Sequence, residues 1–115
     1  MHMVWRNAMS HRLVTVESLQ VGARRLGRAT LNLYRDEPAP GVRGAKRWTV
    51  FGRVGRSGPL PEDSDAVMVL DDGRTVAGRA LLTSSRTSAD WRGRTTEYEY
   101  QGTGPLDGTT DADYG

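Results

Sequence analysis

Two β-prone runs joined by Asp71-Asp72-Gly73 constrain what this chain folds into more than any other feature. Ala66-Val67-Met68-Val69-Leu70 precedes the turn, and Arg74-Thr75-Val76-Ala77-Gly78-Arg79-Ala80-Leu81-Leu82 follows it. Asp-Gly supplies the positive φ angles of a tight hairpin turn, and the flanking runs supply its strands. A period of two recurs elsewhere. Ala29, Leu31 and Leu33 alternate with Thr30, Asn32 and Tyr34. Trp48, Val50, Gly52 and Val54 alternate with Arg47, Thr49, Phe51 and Arg53, and Thr96, Tyr98 and Tyr100 share one face of a last strand. Such alternation places one face of each strand inward and the other outward. About five to seven strands and little helix are expected from these signals. The predicted class is all-β, a small antiparallel β-sandwich or barrel with long loops and flexible terminal arms.

The order of segments predicts an N-terminal arm over residues 1–10, one β domain over 11–106 and an acidic flexible tail over 107–115. The region before Arg28 has two readings. Leu13-Val14-Thr15-Val16 is β-prone, whereas Val16, Leu19, Ala23 and Leu26 have helical spacing. Gly22 and Gly27 each weaken a helix by about 1 kcal/mol relative to Ala, which favours strands with a bend. Two long connections are expected near residues 35–46 and 55–65, where Pro38, Pro40, Pro59 and Pro61 interrupt regular pairing. Ser84 to Gly93, which contains Trp91, is read as a polar loop.

The chain has 115 residues, 37% of them hydrophobic, so one domain with a modest core is expected. It has no cysteine, which excludes disulfides, thiolate metal sites and cysteine nucleophiles. No apolar run reaches the roughly 18 residues of a membrane span. Met1 to Ser10 lacks the apolar core of a signal peptide, so a soluble protein made inside the cell, with no membrane partner, is the expectation. Charge is segregated. Residues 1–56 carry ten Arg and one Lys against Glu17, Asp36 and Glu37, while residues 57–115 carry five Arg against eleven carboxylates. A split of this kind favours contact with something of opposite sign: the other half of the same fold, another copy of the chain, or a polyanion. The fifteen Arg to one Lys fit a GC-rich coding genome as well as they fit phosphate binding.

Catalytic chemistry has little support. His2 and His11 both lie near the N-terminus, and there is no His-Glu-x-x-His, Cys–His pair or Gly-x-Ser-x-Gly elbow. No catalytic, cofactor-binding or metal-binding residue is assigned, and no cofactor and no enzymatic activity are expected. Asp63, Asp65, Asp71 and Asp72 are either a carboxylate cluster at one sheet end or, more simply, solvated turn acids. Gly52-x-x-Gly55-x-x-Gly58 with Arg53 and Arg56 has the look of a phosphate cradle. It lacks the Lys-Ser/Thr and helix of a Walker loop, and structural punctuation explains it better. Arg43, Lys46, Arg47, Arg53 and Arg56 interleave with Trp48 and Phe51. This is either a single-strand nucleic-acid platform or a solvated surface over one buried ring, since Trp48 and Phe51 point to opposite faces. Arg24-Arg25-Leu26-Gly27-Arg28 reads as a basic turn.

Residues 72–106 resemble the closing hairpin of siphophage tail-tube proteins. Gly78-Arg79-Ala80-Leu81-Leu82-Thr83-Ser84 matches a Gly-x-Ala-x-x-Thr-Ser strand, and Gln101-Gly102-Thr103-Gly104-Pro105-Leu106 matches that family's strand ending. The resemblance implies a small β-sandwich or barrel whose loops and arms clasp neighbours in rings, commonly hexameric. It implies a virion protein assembled in the host cytoplasm, a homo-oligomer with other virion proteins as partners, and nucleic acid as a further partner through packaging. The sequence thus predicts a non-enzymatic, self-assembling subunit of a phage or phage-like particle: tail tube, neck ring or capsid decoration protein. The expected contacts are Arg24, Arg25, Arg43, Lys46, Arg47, Arg53 and Arg56 against Glu62, Asp63, Asp65, Asp71 and Asp72, with Trp5 as an apolar anchor. The alternative is a small β-barrel that binds single-stranded nucleic acid through the residue 43–56 surface.

Overall fold

A computed structural model describes residues 11–37, 39–55 and 58–114. Trp5 with the rest of the predicted N-terminal arm, and Arg56, lie outside the described residues. Six strands form: β1 (His11–Val21), β2 (Arg24–Arg35), β3 (Lys46–Gly55), β4 (Asp63–Leu70), β5 (Thr75–Asp90) and β6 (Gly93–Gly102). They close into one antiparallel barrel in the order β1-β2-β3-β6-β5-β4, so of the two predicted all-β architectures the barrel is the one adopted.

Alternation decides what fills it. Ala29, Leu31, Leu33, Trp48, Val50, Ala66, Met68, Leu70, Val76, Ala80, Tyr98 and Tyr100 all turn inward and are buried. A six-stranded barrel is narrow, and these side chains pack it solid. The core is therefore a plug of interdigitated rings and aliphatic groups. The ambiguous stretch before Arg28 is strand, and its helical spacing has a specific cause. Val16 pairs with Leu70 but Ser18 pairs with Val69, a β-bulge that adds one residue to β1. Val16, Leu19 and Val21 therefore all face the core despite a spacing of three then two. A matching irregularity in β2, where Gly27 has φ 76°, brings Leu26 inward alongside Ala29.

Antiparallel pairing sorts the connections to two ends. The lower end holds the start of β1, the 36–45 connection and the Asp71–Gly73 turn. In that turn Gly73 adopts φ 93° and its N–H donates to the Leu70 carbonyl at 2.9 Å. Leu70 N–H donates to Arg74 O at 2.8 Å, so the hairpin has a three-residue loop with glycine in the left-handed position. The upper end holds the Gly22–Ala23 turn and the β3–β4 connection. β3 and β4 are not neighbours in the ring, so that connection crosses the barrel mouth. Leu60 packs against the core there. The Tyr100 hydroxyl donates to Pro61 O at 2.7 Å.

Candidate assembly surfaces

The most exposed element is a hairpin arm at the upper end. β5 pairs with β4 only as far as Leu81 opposite Asp63, but its ladder with β6 runs on to Asp90 opposite Gly93. From Thr83 to Asp90 one edge of β5 therefore has no strand beside it among the described residues. All eight of these side chains are exposed. β3 supports the arm from the other side as far as Gly55 opposite Thr95. The expectation of a polar loop over Ser84–Gly93 is thus corrected: the segment is two paired strand ends around a two-residue turn. No hydrophobic alternation marks it, because neither face is buried. Backbone pairing and the Thr87–Thr96 hydroxyl contact at 2.8 Å hold it instead. Trp91, at the tip, is 90% exposed, with the Arg92 guanidinium over its ring at 5.4 Å from the centroid.

The lower end is closed by the C-terminal segment. The sequence reading of 107–115 as a flexible tail is corrected here for residues 107–114, because they dock. Asp107 exchanges backbone hydrogen bonds with Ala77 at 2.7 and 3.0 Å. Leu106 and Tyr114 are buried in the core cluster, and a single 3-10 turn spans Asp111–Tyr114. Arg74 grips the Asp113 carboxylate with two guanidinium nitrogens, at 2.9 and 3.2 Å. Together with the Thr110 N–H bond at 2.7 Å, this holds the Asp113 carboxyl down at about 2, the Arg74 hydrogen bonds contributing most. Lys46 donates to Asp111 at 2.8 Å, which lowers that carboxyl's pKa, and its ammonium lies 5.6 Å from the Tyr114 ring centroid. A pocket of about 230 Å³ remains beside this segment, between Lys46, Trp48, Pro105, Asp107 and Tyr114.

The predicted contact residues do not form two patches. Arg43, Lys46 and Arg47 lie at the lower end, whereas Arg24, Arg25 and Arg53 lie at the upper end. The acids divide too: Glu62 precedes and Asp63 and Asp65 start β4 at the top, and Asp71 and Asp72 follow it at the bottom. Their carboxylates are therefore separated by the length of a strand, and no four-carboxylate cluster exists. Many of these groups are engaged within the chain: Arg47 with Asp36 at 2.9 Å, Arg53 with Glu97 at 2.9 Å, and Arg79 with Asp63 at 2.8 Å and Asp65 at 3.5 Å. Asp72 is held by Arg74 at 3.0 Å, and Arg24 donates to Pro59 O at 3.2 Å. Among the described residues no group of three or more His, Cys, Asp or Glu is placed to hold a metal ion.

Of the two rings in the basic segment, Trp48 is 2% exposed and Phe51 is 39% exposed. Phe51 lies in a broad outer concavity of about 900 Å³ that also holds Arg28, Arg53, Arg86, Glu97 and Glu99. Both signs of charge meet there. Val67 and Val69 on β4 and Leu81 on β5 add further exposed apolar surface outside the barrel. Sequence reasoning missed the Arg74–Asp113 grip and the Trp91 tip. The only local sign of the tip was Asp90-Trp91-Arg92-Gly93, an Asp-x-x-Gly turn pattern set in polar sequence.

No protein-family model matches the sequence, and no curated protein matches it. Among solved structures, the chain is similar to one in the tail of an empty GTA particle, determined by helical refinement with C6 symmetry. The two share 14% identity over 84% of each chain, with a TM-score of 0.49. At that overlap the likeness carries no argument about what the protein does.

Proposed function

We propose that the protein is a structural, self-assembling subunit of a phage or phage-like particle, in a tail tube, a neck ring or a decorated shell. The observation that carries this reading is the β5–β6 arm. A solvent-exposed ribbon with an open edge and an indole at its tip contributes little to the fold of its own chain. Open edges and exposed aromatic tips are liabilities in a monomer and assets where a neighbour covers them. The arm also falls within residues 72–106, where the sequence resembles a tail-tube hairpin. Intramolecular ion pairs occupy much of the segregated charge, so the surface left for neighbours is the arm, the outer valines and the barrel ends.

Light scattering after size exclusion, with negative-stain images of any large species, tests the proposal. Rings, tubes or defined oligomers well above the 12.7 kDa chain are the expected result. A strict monomer up to about millimolar concentration would remove the reading. The nucleic-acid alternative draws on Phe51 beside Arg28, Arg53 and Arg86. It predicts oligonucleotide affinity that falls steeply between low and moderate salt.

A further inference from the structure

We propose that Trp91 at the arm tip of one copy seats in the lower-end pocket of a second copy, against Pro105 and beside Lys46. The inference rests on the self-assembly reading and specifies its contact. Three observations converge on it. First, Trp91 is 90% exposed, with the Arg92 guanidinium over its ring. An indole held that far from the core on a paired ribbon is placed as an anchor, and Trp and Arg in small desolvated pockets are the residues that dominate interface energetics. Second, the lower-end pocket has a volume of about 230 Å³ and mixed walls, with Pro105 and the edges of the buried Trp48 and Tyr114 on one side and Lys46, Asp107 and Thr109 as its polar groups. Drug-sized ligands occupy pockets of about 300–1,000 Å³, so this one is matched to a single ring. Third, the surroundings are complementary in charge. Arg92 and Arg94 outnumber Asp90 at the tip, where Asp90 pairs with Arg92 at 3.5 Å, while in the pocket Lys46 is engaged by Asp111 at 2.8 Å and Asp107 uses only its backbone in the bridge to Ala77.

Geometry makes the contact intermolecular. The arm leaves the upper end and the pocket opens at the lower end, so a full barrel length separates them within one chain. Because the two patches differ and lie at opposite ends, the contact is heterologous and propagates from copy to copy along the barrel axis. The docked C-terminal segment becomes part of the interface, because Pro105, Asp107 and Tyr114 build the pocket.

The test uses the full-length protein and three surface variants, each checked for an unchanged thermal melt. Trp91→Ala removes the anchor. Gly104→Phe plugs the pocket from a position where a side chain meets open space. Asp107→Arg opposes Arg92 and Arg94. Sedimentation is expected to show at least tenfold weaker association for each variant than for wild type. A 1:1 mixture of Trp91→Ala and Gly104→Phe retains one good tip and one good pocket, so it is expected to give a two-chain species and nothing larger. Arg92→Asp combined with Asp107→Arg is expected to recover association that Asp107→Arg alone loses. Wild-type assembly that survives Trp91→Ala and Gly104→Phe unchanged overturns this contact and leaves the self-assembly reading standing. A wild type that stays monomeric overturns both. Trp91-dependent binding of a labelled oligonucleotide or an anionic vesicle by such a monomer would reassign the tip to that partner.

Discussion

Gly102 has no side chain because the indole of Trp48 lies where a Cβ would be. Gly78 flanks the same ring, with a Cβ position 3.0 Å from it and 2.7 Å from the Pro105 carbonyl oxygen. Trp48 is thus bedded on two glycines, and its ring N–H donates to Gly104 O at 3.0 Å. Gly102→Ala is expected to destabilise the protein by about 1–3 kcal/mol through overpacking. Gly104→Ala, two residues on in open space, is expected to stay within about 0.5 kcal/mol of wild type in the same urea titration. The two inner tyrosines form a second contrast. The Tyr100 hydroxyl has Pro61 O as its acceptor, whereas the buried Tyr98 hydroxyl has no hydrogen-bond partner among the described residues. Burial pushes the Tyr98 phenol up to about 12. Tyr100→Phe is expected to lose about 1 kcal/mol, while Tyr98→Phe is expected to be neutral or stabilising, because it removes a desolvated group that forms no bond. Parallel melts of the two variants check the ordering.

At the scale of elements, the C-terminal segment and the arm are opposites. The segment is fastened by Leu106, Tyr114 and the Arg74–Asp113 grip, and the grip gives it a pH dependence of known sign. The Asp113 carboxyl sits near 2 in the folded protein, below its ordinary value of 3.8. Its contribution is therefore fully present above about pH 4 and is lost as pH falls toward 2, with a size on the order of 1–2 kcal/mol. Acid titration followed by hydrogen exchange at the Ala77 and Asp113 amides is expected to show this segment loosening across that window. Asp113→Asn is expected to flatten the response. Were protection at Ala77 indifferent to pH in Asp113-intact protein, the grip would not be what holds the segment. The arm, by contrast, has no buried face from Thr83 to Asp90 and is fastened by ladder bonds and surface side-chain contacts such as the threonine pair, so its exchange is expected to be fast in the free chain.

On the scale of the whole molecule, barrel closure redistributes the charge that the sequence segregates. Ion pairs that join the basic half to the acidic half include Arg12–Asp113 at 3.6 Å, Lys46–Asp111 at 2.8 Å and Arg53–Glu97 at 2.9 Å. All three involve exposed cations, so screening them changes little. Raising salt from about 0.05 to 0.5 M is expected to alter the chain's own stability by less than about 1 kcal/mol in thermal melts of dilute protein. A larger loss would mean that the ion pairs, rather than the packed interior, sustain the closed barrel.

Inward faces were legible from residue order wherever a strand alternates regularly, as in the second half of β2, in β3, β4 and β6, and in the start of β5. Alternation is a local consequence of the pleat, and Trp48, Val50, Tyr98 and Tyr100 declare it whatever they pack against. The Asp-Asp-Gly hairpin was legible for the same reason, because the φ that Gly73 adopts is a property of one residue. Which strands meet was not local. Closure of β1 on β4, the bulge that turns Val16 and Leu19 to the same side, and the crossing of the upper mouth depend on partners far away in the chain. The docked C-terminus and the standing arm escaped for that reason too. Asp113 is an ordinary tail acid until Arg74 is brought to it, and Ser84–Gly93 has no buried face to imprint a period. The sequence by itself determined the strands that carry a buried face in regular alternation and which way that face turns, since backbone sterics and the pleat act within a few residues. Only the tertiary structure decided where the charges pair and which surfaces remain uncovered, because those depend on distances that chain closure alone sets.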